Sequence, residues 1–291
     1  MTSQLELLVL GVAQDGGLPH LGCTQPCCTN ARQSGRVETP ACIAIRNVDT
    51  RALLLLEATP SIASQVALLH ALIGTPLGDG ALVDAIAITH AHTGHYTGLM
   101  HLGREGAATN QVPVHVSMAV ANVLQTNAPW SSVVDGNHIA LHTFEPGIVF
   151  EPLPGIAIEP IAVPHRDELS DTMAFKVHGA HRTALFCPDI DAWDCMLEPL
   201  LRGVDIALLD GTFFDDAELD KIGSRRDRAS IPHPTMMDTM LRIESLGEAR
   251  PPDVRFIHLN HSNAAFHGGR VAAEVAARGF GIAQAGDRID L

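Results

Sequence analysis

Short apolar runs alternate with helical patterns along the whole chain, and this alternation is what most restricts the folds open to it. Residues 5–12 (LELLVLGV) read as a buried strand, 41–47 and 51–57 as a strand pair across Val48-Asp49-Thr50, and Asp84 to Thr89 as a short apolar strand. Further strands are predicted near 112–116, 147–152, 156–163, 173–178, 183–187, 204–209, 253–258 and 281–284. Helices are predicted from Ser61 to Leu72 and at 117–126, 192–201, 234–246 and 269–278. Strands apolar on both faces need cover on both sides, and interleaved helices supply it, so the fold class is a layered α/β one. No Ser/Gly linker, charge run or low-complexity segment divides residues 1–291, which read as one domain with a Gly/Pro/Cys-rich loop at about 13–40.

Composition narrows the function. A formal charge of −14 repels nucleic-acid backbones and anionic membranes, so neither is the expected partner. With 46% hydrophobic and 18% charged residues the chain is globular rather than disordered. The start, MTSQLELLVLGVAQDGG, lacks the basic region and cleavage site of a signal peptide, and no apolar run approaches the ~18 residues needed to span a bilayer, so a soluble cytoplasmic protein is expected. The outlying number is 16 histidines in a chain with 4% aromatics. Histidine is the commonest metal ligand, which directs attention to ligand spacing.

The strongest spacing is Thr89-His90-Ala91-His92-Thr93-Gly94-His95-Tyr96-Thr97-Gly98-Leu99, directly after an apolar strand. His90 and His92 lie two apart at a strand end, and His95 follows three further on as a helix begins. Imidazoles so placed can converge on one point, on a rigid support. The segment resembles the signature of the metallo-β-lactamase fold superfamily, His-x-His-x-Asp-His at the end of a strand, with Gly94 in place of the aspartate. The resemblance extends along the whole chain and implies further metal ligands at His165, Asp189 and His258, each after a strand. It also implies a four-layer αβ/βα sandwich with the metal cleft at one edge.

Two relatives within the superfamily match more closely. Glu57-Ala58-Thr59-Pro60-Ser61-Ile62, His95 to Leu99 with Arg104-Glu105-Gly106, and Asp210-Gly211-Thr212-Phe213 with Asp215, Asp216 and Glu218 resemble segments of the pyrroloquinoline quinone biosynthesis protein B family. That family tends to lose the first two histidines and keep the aspartate, the reverse of this chain. The complete histidine set is closer to the cyclic phosphodiesterases of phosphonate metabolism and the tRNA 3′-processing nucleases. In both relatives a Cys-x-Cys-x-x-Cys loop holds a structural zinc. Here Cys23 and Cys28 match its first and last cysteines, Gln25 replaces the middle one, and Cys27 is the nearest substitute, with His261 implied as the fourth ligand. The alternative is a loop of free thiols. Cys42, Cys187 and Cys195 read as small buried hydrophobes. His233, before a helix, occupies the place of the relatives' histidine that protonates the leaving group, or else merely opens that helix. Asp15-Gly16-Gly17 offers a turn lining the site, although turn chemistry suffices to explain it.

The implied chemistry is hydrolysis. His90, His92 and His165 would hold one divalent metal, and His95, Asp189 and His258 a second, with Asp189 bridging. A hydroxide between two such cations is a strong nucleophile near pH 7, suited to a small, anionic phosphodiester or related ester. So many imidazoles favour Zn, Mn or Fe over Mg. Gly94 leaves the second position short of a carboxylate, to be filled by water, by another residue, or by nothing. The alternative function is a metal-dependent oxygenase or hydroxylase in quinone cofactor biosynthesis. A homodimer is the default assembly.

Overall fold

The computed structural model describes residues 4–75, 82–221 and 232–291. Its strands are β1 (Leu5–Gly11), β2 (Cys42–Asn47), β3 (Leu53–Leu56), β4 (Ala85–Ala87), β5 (Val112–Val116), β6 (Ile139–Thr143) and β7 (Phe150–Leu153). There follow β8 (Ile156–Val163), β9 (Thr172–His178), β10 (Thr183–Cys187), β11 (Ile206–Asp210), β12 (Asp253–Ile257), β13 (Gly281–Ile282) and β14 (Arg288–Asp290). They form two seven-stranded sheets, ordered β14-β1-β2-β3-β4-β5-β6 and β13-β12-β11-β10-β9-β8-β7. In the first, β3 to β6 are parallel and the β1, β2 and β14 pairings antiparallel. In the second, β10 to β13 are parallel and the β7, β8 and β9 pairings antiparallel. Two antiparallel steps restore direction, so β1 runs with β3 and β4, and β8 with β10, β11 and β12. The carboxyl ends of all seven therefore leave their sheets at one edge, where α/β proteins place their sites.

The four leucines of β3 show how the layers form, because successive side chains on a strand point to opposite faces. Leu54 and Leu56 join Leu7, Val9, Ile43, Ile45 and Ala85 in a core shared with Ile158, Phe175, Val177 and Phe186 of the second sheet. Leu53 and Leu55 instead pack with Ile62, Val66 and Leu69 of the helix Ile62–Ile73 and with Val120 and Leu124 of the helix Met118–Thr126. On the second sheet, helices Leu197–Leu201, Met236–Ser245 and Gly269–Ala277 add Leu200, Met240, Ile243 and Val275 to the core. The result is the helix–sheet–sheet–helix sandwich that the resemblance implies.

Several local expectations are corrected. The segment 13–40 is no simple loop, since it carries a helix at Pro26–Ser34 that begins on proline and stops at Gly35, φ 72°. Proline suits a first helical turn, and glycine the left-handed stop. The strands Ile139–Thr143 and Arg288–Asp290 were not expected. Both mix polar and exposed positions, and only their pairing to β5 and β1 makes them strands. The helix expected at 192–201 is confined to Leu197–Leu201. Cys42 and Cys187 are buried as expected, but Cys195 is exposed. Among the described residues no helix is long and apolar enough to cross a membrane. Leu54→Ala, which empties space between the two sheets, is expected to lower stability by about 2–5 kcal/mol, read as a lower denaturant midpoint at unchanged m.

Candidate metal centre

β4 ends at Ala87 because its partner β3 ends at Leu56, their last paired residue. The chain then passes through Thr89, His90 and Ala91 to His92, whose extended backbone opens the short helix Thr93–Tyr96 bearing His95. His165 follows β8, Asp189 follows β10, Asp210 ends β11 and His258 follows β12. These side chains meet in one cleft. His90 Nε2 lies 2.9 Å and His165 Nε2 3.2 Å from His92 Nδ1. Tetrahedral ligands on a metal at about 2.0–2.1 Å are separated by roughly 3.3 Å, so the spacing is that of three nitrogens around one ion.

A second cluster adjoins it. His95 Nε2 lies 3.0 Å from Asp189 Oδ2 and 3.2 Å from Asp15 Oδ1, and His258 Nε2 lies 3.4 and 3.3 Å from the same two atoms. Asp189 also faces the first cluster, 3.6 Å from His90 Nε2 and 3.7 Å from His165 Nε2. The structure thus brings together all six residues expected to hold metal. It adds Asp15, which the sequence reading explained as a turn. The signal that could have found it was a carboxylate at the end of a strand running parallel to β4, a direction the sequence does not disclose.

Hydrogen bonds behind the rings choose which nitrogen faces the cleft. The Thr89 hydroxyl donates to Glu57 Oε1 at 2.5 Å and so accepts from His90 Nδ1 at 2.8 Å, leaving the His90 Nε2 lone pair toward the cleft. The second sheet repeats the device: the Thr212 hydroxyl donates to Asp210 Oδ1 at 2.7 Å and accepts from His258 Nδ1 at 3.1 Å. His95 Nδ1 donates to Glu57 Oε1 at 3.2 Å, and His165 Nδ1 to Asp191 Oδ1 at 2.8 Å. Such partners fix ring orientation and ligand basicity. Glu57 and His258, each the first residue after a strand, take φ of 81° and 62°, a conformation costly for a side-chain-bearing residue and kept where a site demands it.

Electrostatics agrees with a cation-binding role. Burial, helped by the neighbouring charge of His95, holds His90 well below the usual imidazole range, and burial with His165 lowers His92. Both are therefore neutral donors. Burial would raise Asp15 and Asp189, but His258 and the other imidazoles outweigh it and hold both carboxyls well below their ordinary value. Burial would lower His95, but Glu57, Asp15 and Asp189 overcome it and raise it. Three buried polar atoms at the cleft, His92 Nε2, His95 Nε2 and Asp189 Oδ1, have no hydrogen bond of acceptable geometry. Buried polar atoms are rarely left so, and a metal ion with its bound solvent would satisfy His95 Nε2 and Asp189 Oδ1.

His233 lies beside this cluster, just ahead of the helix Met236–Ser245, with Nδ1 2.8 Å from Asp210 Oδ2 and 3.5 Å from Asp189 Oδ1. Burial opposes its charge, but Asp210 prevails and raises it to about 9.

Cys23, Cys27, Cys28 and His261 form a separate cluster. Cys27 and Cys28 Sγ each lie 3.5 Å from His261 Nδ1 and 3.9 Å from each other. Zn–S of about 2.3 Å and Zn–N of about 2.0–2.1 Å in a tetrahedron give roughly 3.8 Å between sulfurs and 3.6 Å between sulfur and nitrogen. Burial and the neighbouring Cys28 push the Cys27 thiol up to about 12, while burial and the charges of His20 and His267 push His261 down to about 4. Adjacent thiolates thus require a cation, and a neutral imidazole faces them. His20, which the sequence did not single out, lies with its ring tilted against that of His261, centroids 4.6 Å apart, and donates its backbone N–H to Cys28 Sγ.

Thr89→Val and Thr212→Val, which preserve shape but cut the relays, are each expected to weaken metal binding about 10- to 100-fold in a chelator competition titration. Thr→Ser at either position should retain it.

The residues 53–259 match the family model described as the beta-lactamase superfamily domain. Coenzyme PQQ synthesis protein B of Rhizobium meliloti (strain 1021) is 26% identical over 311 aligned residues, spanning 100% of this chain and 99% of that protein. Among solved structures, Zn(2+)-bound PqqB from Methylobacterium extorquens superposes with a TM-score of 0.84 at 22% identity, covering 98% of this chain and 100% of that one. A diphosphatase from the PhnP family superposes with a TM-score of 0.69 at 20% identity, covering 100% and 98%. With the fold, the strand-end histidine and carboxylate clusters and a family match over residues 53–259, the chain belongs to the beta-lactamase superfamily.

Proposed function

We propose that the chain is a metal-dependent hydrolase of a small anionic phosphodiester or related ester. The observation that carries this is Asp189, one carboxylate within reach of both the His90/His92/His165 and the Asp15/His95/His258 nitrogen and oxygen clusters. His90, His92 and His165 would hold one cation, His95, His258 and Asp189 the other, with Zn, Mn or Fe suited to the imidazole-rich set. Two such cations, when bound, generate a hydroxide near neutral pH and offset charge developing on a phosphoryl oxygen. The inner ligands carry less negative charge than two divalent ions carry positive, which favours an anionic substrate.

The chain's own residues supply the rest. Asp189 faces five rings at once, those of His90, His95, His165, His233 and His258. His233 donates its Nδ1 proton to Asp210, so the proton it can hand to a leaving group is the one at Nε2. Cys23, Cys27, Cys28 and His261 would hold a structural zinc, tying the loop after β1 to the segment after β12.

A second reading, a metal-dependent oxygenation in quinone cofactor synthesis, is favoured by the likeness to coenzyme PQQ synthesis protein B over the whole chain. An iron-loaded preparation that consumes oxygen would favour it.

Metal-loaded protein is expected to cleave bis-p-nitrophenyl phosphate or a cyclic nucleotide, and His90→Ala to abolish turnover. Inactivity toward these and toward lactones, with His90→Ala changing nothing measurable, would refute hydrolysis. A general acid acts only while protonated, so kcat/KM should fall as pH rises through about 9, the value to which Asp210 holds His233 in the free protein. His233→Ala should remove that limb and lower kcat about 10²–10⁴-fold.

A further inference from the structure

Gly94 stands where the superfamily's metal motif has an aspartate, yet the second cluster contains two carboxylates, Asp189 and Asp15. A Cβ at position 94 would lie 2.6 Å from the Asp15 Cγ and 2.7 Å from its Cα, with Oδ1 nearer still. Gly94 is buried, and its backbone is not in the left-handed region that calls for glycine, so the residue is small because Asp15 fills the adjoining space.

We infer that Asp15 has taken over the ligand position of the missing motif aspartate, and that glycine at position 94 is what admits it. This rests on the reading that the cleft holds two metal ions. The carboxylate has left one segment and returned from another, which preserves the ligand chemistry of the site.

The loop that carries Asp15 is held for the purpose. The Gln14 N–H donates to the Leu259 carbonyl at 2.9 Å, and the Leu259 N–H to the Val12 carbonyl at 2.9 Å. Gly17, φ 64°, closes the turn with its N–H 2.8 Å from the Gln14 carbonyl. These bonds fasten Asp15 to the residue next to His258, the ring it faces at 3.3 Å. Asp15 and His258 therefore present their donor atoms as one unit, independent of the Thr93–Tyr96 helix that would have carried the motif aspartate.

The test uses the full chain, stripped of metal and titrated with Zn²⁺ against a chromophoric chelator, with bound zinc counted by elemental analysis. Asp15→Asn keeps the shape and removes the charge. It should weaken the loosest cleft zinc about 100-fold while the zinc at the cysteine cluster binds as in the parent. Gly94→Asp alone should also weaken it, because two carboxylates contend for one space. The double variant Asp15→Gly/Gly94→Asp should bind about tenfold or more tighter than Asp15→Gly alone. Parent-like affinity in Asp15→Asn, or a double variant no tighter than Asp15→Gly, would overturn the inference. If the unsubstituted chain binds zinc only at the cysteine cluster, both this assignment and the hydrolase reading fall. If two cleft zincs bind, one of them lost in Asp15→Asn, but no ester is cleaved, only the hydrolase reading falls.

Discussion

One buried carboxylate organises the cleft. Asp189 is 3% exposed, and five imidazoles, those of His90, His95, His165, His233 and His258, approach it within 3.0 to 3.7 Å. An isolated carboxylate could not be buried there, and uncharged rings crowded nitrogen to nitrogen would be little better placed without something to share. The arrangement is stable only with a cation or protons among the donors. Both sheets must therefore end their parallel strands at the same edge, and the residues that follow each strand are the ones that converge.

The two halves of the cleft are supported alike. Glu57, Thr89 and His90 on the first sheet, and Asp210, Thr212 and His258 on the second, form the same carboxylate–hydroxyl–imidazole relay. In each, the hydroxyl spends its proton on the carboxylate and can only accept from the ring, which settles the tautomer without any metal present. A third element joins the halves. The loop after β1 carries both Asp15 and the three cysteines, while the segment after β12 carries both His258 and His261. A metal at the thiol cluster would therefore also hold the distance between two donors of the cleft.

The complete set of cleft donors bears on the two functional readings differently. Likeness over the full length associates the chain with coenzyme PQQ synthesis protein B, whereas the proposed two-metal hydrolysis would draw on both the His90/His92/His165 and the Asp15/His95/Asp189/His258 positions.

The layered α/β fold was legible because strand-length apolar runs and helical patterns are local properties. His90, His92 and His95 were legible because their spacing at a strand end is local as well, and His165, Asp189 and His258 through the resemblance that this motif opens. The short strands Ile139–Thr143 and Arg288–Asp290, and the relays through Thr89 and Thr212, were not, since nothing in their own composition marks them and their partners are distant in the chain. Asp15 is the sharpest case. By sequence alone it belongs to an Asp-Gly-Gly turn, and Gly94 is a missing ligand. Only the tertiary structure, by running β1 parallel to β4 and pinning its loop beside His258, places the one carboxylate in the space left by the other. Local periodicity determines which elements form and what their ends carry, whereas the distance between two strand ends is set by packing.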